Sequence, residues 1–518
     1  MSTLRSKNPA TGEVIQEIET TPIESLAEIY SRAQSAQKYW GSVSLRKRAQ
    51  YLLDLREVLV QRADELIDLI SKENGKPQFE AMANEIIPSA DLLTYFAKKA
   101  PRVLRDHRIP MVLMKHRRSD LNYWPVGVVA IISPWNYPFL LPFADIVMAL
   151  VAGNAVIFKP SEITPCVGLR IQDICNEAGL PPFVLQTVIG EGLLGAALID
   201  HKPGKVFFTG SVVTGRKVME AAAKHLVPVN LELGGKDAMI VMPDADLDYA
   251  TSAALWGSMS NSGQVCASVE RILVHERIQE RFVELLKAKL QRLRQGPSLN
   301  GQNDLGPITL EKQKSIYTQQ IEEAKSHGAK LETGGEFTPD HRYLAPTLVT
   351  GHRIEDTSIY QEETFGPVAA ITTFKSVSEA IEKANHNRYG LLASIITKNV
   401  PLAEEMARQL AVGTVTINEV LYTAGLGETP WGGVKDSGFG RTHSEAGLYE
   451  FVNVRHIHKP RVNSIYFKSL WWFPYSNYQF ITFRLFLNLY RQSWIDKLKV
   501  FPHLLWNLVQ MLKREKRL

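Results

Sequence analysis

"KVFFTGSVVTGRKVMEAA", residues 205–222, opens on an apolar run, passes through Gly210 and Ser211, and continues with helical spacing that carries Gly215 in its first turns. A strand that turns through small residues into a helix brings backbone N–H groups and a positive helix end to one place, where a phosphate can sit. The stretch is not G-x-G-x-x-G, and a tight turn with close helix-to-strand packing explains its glycines as readily.

The same texture repeats outward on both sides. "WPVGVVAIIS" (124–133), "NAVIFK" (154–159), "FVLQTVIG" (183–190) and "PVNLELGG" (228–235) each read as a strand followed by helical spacing or a Gly-rich turn. A second series follows with "RILVHE" (271–276), a helix to about residue 292, then "PVAAITTF" (367–374), "LLASIIT" (391–397) and "GTVTIN" (413–418). Near-continuous apolar strands alternating with helices predict an α/β fold with parallel sheets covered on both faces. The first hundred residues read as helices, among them "SLRKRAQYLLDLREVLVQRADELIDLISKENG" (44–75), closed by a glycine. At 518 residues the chain exceeds one core, so two α/β units are expected. No repeat of fixed period separates or duplicates them.

Composition narrows the function classes. With 45% hydrophobic and 22% charged residues the chain is ordinary globular material. Its three cysteines, Cys166, Cys175 and Cys266, show no CxxC spacing, which argues against a disulfide framework or a metal site and for a reducing, cytoplasmic setting. The N-terminus has no apolar signal region. Residues 467–518 carry nine Lys or Arg against two Asp or Glu, so the formal charge of +5 belongs to the tail. The main body is slightly acidic and has no basic stripe, which argues against nucleic acid as a partner.

Four segments carry candidate chemistry. Cys266, in "NSGQVCASVER" (261–271), sits among small polar residues that would give a reactive thiol access; a free cysteine equally serves as a small buried hydrophobe. "NAVIFKPSEITP" (154–165) puts Lys159 and Glu162 just past a strand, where a cation and a carboxylate can hold a ribose diol; a solvated lysine and a helix-start glutamate are the plainer alternative. That carboxylate would repel a 2′-phosphate. "PVNLELGGKD" (228–237) ends a strand on Glu232, either a partly desolvated general base or a solvent-facing strand end. "ISPWNYPFLLP" (132–142) offers Asn136 as an oxyanion donor or as a turn former.

Taken in order, "NPATGEVI", "PWNYP", "GNAVIFKPSEITP", "FTGSVVTG", "LELGGKD", "NSGQVCAS", "EETFGPV" and "TPWGGVKDSGFGR" resemble the aldehyde dehydrogenase superfamily over nearly the whole body. The resemblance implies that Cys266 attacks an aldehyde, that Asn136 and the Cys266 N–H hold the oxyanion, and that Glu232 activates water on the thioester. It implies NAD, with NADP possible, bound by Trp135, Lys159, Glu162, Gly210, Ser211, Gly215, Glu363 and Phe365. It further implies a Rossmann-like cofactor domain (1–233, interrupted by a bridging β segment near 103–124), a catalytic domain (234–425), and a return to the cofactor domain and the bridging strand (426–466). The bridging element would combine "MVLMKHRRSDLNYW" with "FVNVRHIHKPRV" and join a homodimer or homotetramer. One departure stands out. Many members carry a glutamate after "SGFGR", and this chain has Thr442.

Residues 467–518 extend beyond that pattern and hold 13 aromatics, including four of nine tryptophans. Arg484, Asn488 and Arg491 interrupt the longest apolar stretch, so a helical segment lying in a membrane interface is expected rather than a span. Such extensions resemble those of enzymes for long-chain or lipophilic aldehydes, fatty or retinal-like. The alternatives are a small soluble aldehyde, such as a semialdehyde or betaine aldehyde, and a non-catalytic membrane scaffold that keeps the fold.

Overall fold

Thr3–Lys7 (β1) and Val14–Glu19 (β2) pair antiparallel at the start of the chain. The computed structural model describes residues 2–297, 301–462 and 472–515. The hairpin corrects the expectation of helix throughout the first hundred residues. It buries only Ser6 and Ile18, so its polar composition hid a period-2 pattern. Helices Leu26–Ser42, Leu45–Gln61, Ala63–Asn74 and Ile87–Val103 follow. Ser44 caps the second by accepting the Lys47 N–H, and Gly75 ends the third at φ +96, a left-handed turn that a side chain resists.

His107–Ile109 (β3) and Arg117–Pro125 (β4) enter a small sheet. The first large sheet then begins with Val128–Ile132 (β5), Ala155–Lys159 (β6), Leu185–Thr187 (β7), Lys205–Thr209 (β8) and Val229–Glu232 (β9). The second collects Asp237–Val241 (β10), Val269–His275 (β11), Lys330–Thr333 (β12), Thr347–Thr350 (β13), Val368–Phe374 (β14), Leu392–Ile396 (β15) and Thr414–Ile417 (β16). Gly438–Phe439 (β17) returns to the first sheet, and Val452–Pro460 (β18) completes the small one.

The first sheet runs β17-β9-β8-β5-β6-β7, parallel except for β17. Strand order reverses between β5 and β8, the point at which open α/β sheets take ligands at their carboxyl ends. Helix Leu140–Ala152, apolar on every face but for Asp145, is buried against it, because a sheet covered on both sides needs such a helix. The second sheet runs β12-β13-β14-β11-β10-β15-β16, parallel except for β12. β9 passes into β10 through four residues, Leu233–Lys236, so the two sheets are joined beside Glu232.

The chain divides into two compact units, Met1–Asp106 with Asn122–Arg455, and His107–Leu121 with His456–Leu518. The first holds both large sheets. In the second, β3 pairs with β4, Ser119 Oγ lies 2.7 Å from His458 Nδ1, and helices Asn477–Asn488 and Trp494–Glu515 pack on each other. The expected helical extension is therefore present. Residues 463–471 and 516–518, which include parts of the expected 426–466 and 467–518 segments, lie outside the described residues. Among the described residues no helix is long and apolar enough to cross a membrane.

Candidate active site

The carboxyl ends of the first sheet gather the predicted residues. Asn136 lies in the turn after β5, Lys159 ends β6, Gly210 and Ser211 follow β8, and Glu232 ends β9. Cys266 stands in the loop between the Ser260–Gly263 turn and β11.

That loop is held in an uncommon shape. Asn261 and Ser262 have φ of +49 and +54, the left-handed region. Glu80 accepts the Asn261 N–H and the Ser260 hydroxyl; Asn261 Nδ2 donates to the Asn136 and Gln264 carbonyls at 3.0 and 3.2 Å; Ser262 Oγ donates to the Gly306 carbonyl at 2.8 Å. The small polar neighbours of Cys266 are thus buried and spent on internal bonds. They do not form its access route, contrary to the sequence expectation.

Access comes through an apolar cavity instead. Cys266 is half-buried and borders a cavity of about 70 Å3 walled by Tyr137, Leu141, Trp256, Leu421 and Trp431 among others. On another side Cys266, Leu141 and Trp431 border a second, small cavity with Glu232, Asp145, Thr442 and His443. Cys266 and Glu232 therefore share a wall. Burial, with the Asp237, Glu363 and Glu232 carboxyls, pushes the Cys266 thiol up, so the thiol is the resting form. Glu232 is buried, and neither carboxyl oxygen has a partner among the described residues. Burial and Asp145 push it well above the carboxylate range, against the pull of Arg441.

Asn136 Nδ2 donates to the Gln264 carbonyl at 3.1 Å, two residues from Cys266. Its own carbonyl accepts from the buried ammonium of Lys76 at 2.8 Å. Lys76 pairs with Glu85 at 2.6 Å and lies over the Tyr137 ring, while the other Glu85 oxygen accepts the Phe139 and Leu140 N–H groups at the start of the buried helix. Sequence reading missed this Lys76, Glu80 and Glu85 set. Its signal was charge within a helical segment whose neighbours are buried.

The cofactor-side residues group as follows. Lys159 Nζ, 4% exposed as a residue, meets the Pro160 carbonyl at 3.2 Å and Glu162 at 3.6 Å. An ammonium has three donors, so one stays available to a ligand hydroxyl. Burial draws its pKa down, opposed by Glu162. Ser211 caps the helix Val212–Ala223 by accepting the Thr214 N–H at 3.3 Å, and Gly215 is buried in that helix's second turn. Glu363 accepts the Gly235 N–H at 3.2 Å, and a side chain at Gly234 would displace its carboxyl. Burial pushes Glu363 up to about 8. Trp135 and Phe365 meet edge to face, with centroids 5.6 Å apart. Phe365 holds φ +56 because Glu270 accepts its N–H and that of Thr364, and Glu270 in turn pairs with the buried Lys236. A free ammonium donor, the N-terminus of Val212–Ala223 and the buried Glu363 carboxyl fit a dinucleotide.

The model of the aldehyde dehydrogenase family matches residues 1–457. A relative named 4,4′-diapolycopene aldehyde oxidase, from Methylomonas sp, is 39% identical over 492 residues, 94% of this chain and 91% of its own. That likeness is longer than the family match and so runs into the C-terminal extension. Among solved structures, a putative aldehyde dehydrogenase from Burkholderia cenocepacia is 32% identical with a TM-score of 0.86, covering 90% of this chain and 95% of its own. The NAD+ complex of an aldehyde dehydrogenase from Bacillus cereus is 32% identical with a TM-score of 0.85, covering 89% and 94%.

Proposed function

The chain belongs to the aldehyde dehydrogenase family, and from that premise we propose that it oxidises long, apolar aldehydes to carboxylic acids through a covalent adduct on Cys266. The observation that carries the substrate class is the apolar cavity that opens on the Cys266 sulfur. Burying an alkyl or polyene chain there is favourable by about 25 cal/mol per Å2 of apolar surface, and a small polar aldehyde gains none of it. The relative named for an apocarotenoid aldehyde supports the same class.

The Cys266 thiol gives its proton to water as Sγ attacks the carbonyl carbon, and Asn136 Nδ2 with the Cys266 N–H takes the oxyanion. A nicotinamide dinucleotide, when bound, supplies the acceptor for the two electrons that leave with the aldehyde hydrogen, so the adduct becomes a thioester. Glu232 then removes a proton from the attacking water. Lys159 and Glu162 would hold one ribose, Ser211, Gly210 and Gly215 the pyrophosphate, Glu363 the other ribose, and Trp135 and Phe365 the nicotinamide. Glu162 favours NAD over NADP by repelling a 2′-phosphate. On this reading residues 1–233 form the cofactor domain and 234–425 the catalytic domain, with β4 and β18 bridging copies of the chain in a homodimer or homotetramer.

Residues 467–518 attach the enzyme to the cytoplasmic face of a membrane. Trp494, Leu498, Phe501, Leu505 and Val509 recur at helical spacing on Trp494–Glu515 and are all exposed, and the extension is basic. The test is a series of straight-chain aldehydes from C2 to C14 with NAD or NADP. A rise in kcat/KM of at least tenfold from C4 to C12, with NAD preferred, supports the reading; a maximum at C2 to C4 overturns the substrate class, and loss of NADH formation in Cys266→Ala is required throughout.

A further inference from the structure

The turn that carries Asn136 is held by side chains from another part of the chain. Residues 133–139, between β5 and the helix Leu140–Ala152, form neither helix nor strand, and Pro134 and Pro138 supply no backbone donor. Asn74 Nδ2 donates to the Trp135 carbonyl at 3.0 Å, and Lys76 Nζ donates to the Asn136 carbonyl at 2.8 Å. Two consecutive carbonyls are thus taken by the two side chains that flank Gly75. At the far end of the turn, Glu85 Oε2 accepts the Phe139 and Leu140 N–H groups at 2.8 and 3.1 Å, while Oε1 pairs with Lys76 at 2.6 Å. One ion pair therefore grips the turn on both sides of the Asn136 side chain.

Asn74, Lys76 and Glu85 are all buried, so water does not compete for these bonds, and charge-assisted hydrogen bonds in such a setting fix geometry closely. The Lys76 ammonium also lies 3.7 Å from the centre of the Tyr137 ring, which seats the residue after Asn136 on the same cation. A second path runs to the nucleophile loop. Thr309 Oγ1 donates to the Asn74 carbonyl at 2.6 Å, and the Thr309 N–H donates to Gln264 Oε1 at 2.9 Å. Gln264 supplies the carbonyl that accepts Asn136 Nδ2. The turn with the amide and the loop with Cys266 are thus both tied to Asn74. Such ties matter because moving a catalytic group by about 1 Å costs about 10²-fold in rate.

We propose that Lys76, together with Glu85 and Asn74, is a positioning residue for the oxyanion donor, setting where Asn136 Nδ2 stands relative to Cys266. This rests on the reading of Asn136 as that donor. None of the three lines either cavity beside Cys266, so their effect on the reaction passes through Asn136. The ammonium fixes the turn at the Asn136 carbonyl, the carboxylate fixes it at the start of the buried helix, and the Asn74 amide fixes it one residue earlier.

The test uses the full chain with NAD and whichever aldehyde of the C2 to C14 series it turns over best, reading the single-turnover rate of NADH formation by stopped flow and KM for the aldehyde. Lys76→Met with Glu85→Gln removes both charges together and leaves no buried ion unpaired. This double change is expected to lower the single-turnover rate at least tenfold while KM stays within threefold. Placed in Asn136→Ala, it is expected to lower the rate less than twofold further, because the group it positions is already gone. Asn74→Ala is expected to lose at least threefold in the parent and less than twofold in Asn136→Ala. A merely structural role would lower the rate equally in both backgrounds. That result overturns the proposal, as does a double change that keeps the parent rate within twofold. Should the double change not fold, Asn74→Ala in the two backgrounds decides by the same criteria. Asn136→Ala alone separates the two readings: if it keeps the rate within twofold, the oxyanion assignment fails and the positioning with it; if it loses at least tenfold while the positioning variants lose nothing in the parent, only the positioning fails.

Discussion

Both carboxylate oxygens of Glu80 accept the backbone N–H of Asn261, at 3.0 and 2.9 Å. This ties a buried acid on the short helix Gln78–Ala81 to the left-handed start of the Cys266 loop. Glu80→Ala leaves that N–H and the Ser260 hydroxyl unpaired and is expected to cost about 3 kcal/mol. It also lowers kcat/KM, because Asn261 carries the contacts to Asn136 and Gln264. Glu80→Gln keeps one acceptor and loses less than half as much. Urea unfolding and steady-state kinetics on the same samples check both.

Asn136 spends its amide on the Gln264 carbonyl, so in the proposed mechanism its value to the oxyanion appears only as the adduct forms. Asn136→Ala is expected to lower kcat by 10²–10³ while KM changes less than threefold. An equal loss carried in KM would remove it from the oxyanion role.

Ala424 lines the apolar cavity. Ala424→Phe fills part of that space, and kcat/KM for dodecanal is expected to fall at least tenfold while that for propanal holds within twofold. The ratio of the two aldehydes, measured in one assay series, is the readout.

His443 links acidity to stability. Its pKa is about 4 in the folded chain and about 6.5 unfolded, so the unfolded chain binds more protons between those values. Its contribution is present above pH 6.5 and is lost as pH falls through 4, on the order of 3 kcal/mol in all. His443→Asn removes that titration and suits the positive φ. The fall in unfolding free energy between pH 7 and 4.5 is expected to be smaller by about 2 kcal/mol in the variant.

Leu498 and Leu505 are exposed on one face of Trp494–Glu515. The double change Leu498→Glu and Leu505→Glu is expected to abolish flotation with vesicles containing 30% phosphatidylserine. Melting temperature and turnover of propanal stay unchanged. Undiminished flotation would exclude that face as the attachment surface.

Much of this was legible in the order of residues. Short β-branched apolar runs bounded by turn residues, such as Val128–Ile132 and Ala155–Lys159, read as strands buried on both faces, and the eight motifs falling in sequence pointed to Cys266, Glu232 and Asn136 together. The groups that support them were not legible. Lys76, Glu80 and Glu85 follow a run of amphipathic helices in which charges normally face water, and Asp145 is a single acid in an apolar helix. Their long-range partners lie 54 positions away for Glu85 to Phe139, 181 for Glu80 to Asn261 and 297 for Asp145 to Thr442, separations that local pattern does not report. The N-terminal hairpin escaped for the opposite reason, since its two strands bury too little to show alternation.

Cys266 stands where an apolar cavity and a smaller one lined by Glu232 and Asp145 abut, with Leu141 and Trp431 common to both walls. On the proposed reading the acyl chain and the hydrolytic water reach the same carbon from separate quarters. A hydrocarbon tail can stay seated while the thioester is cleaved, and the fatty product need not be dislodged to admit solvent. An enzyme for poorly soluble aldehydes gains from that division, because its slowest-leaving substrates are also those that would most completely shut water out of a single shared entrance.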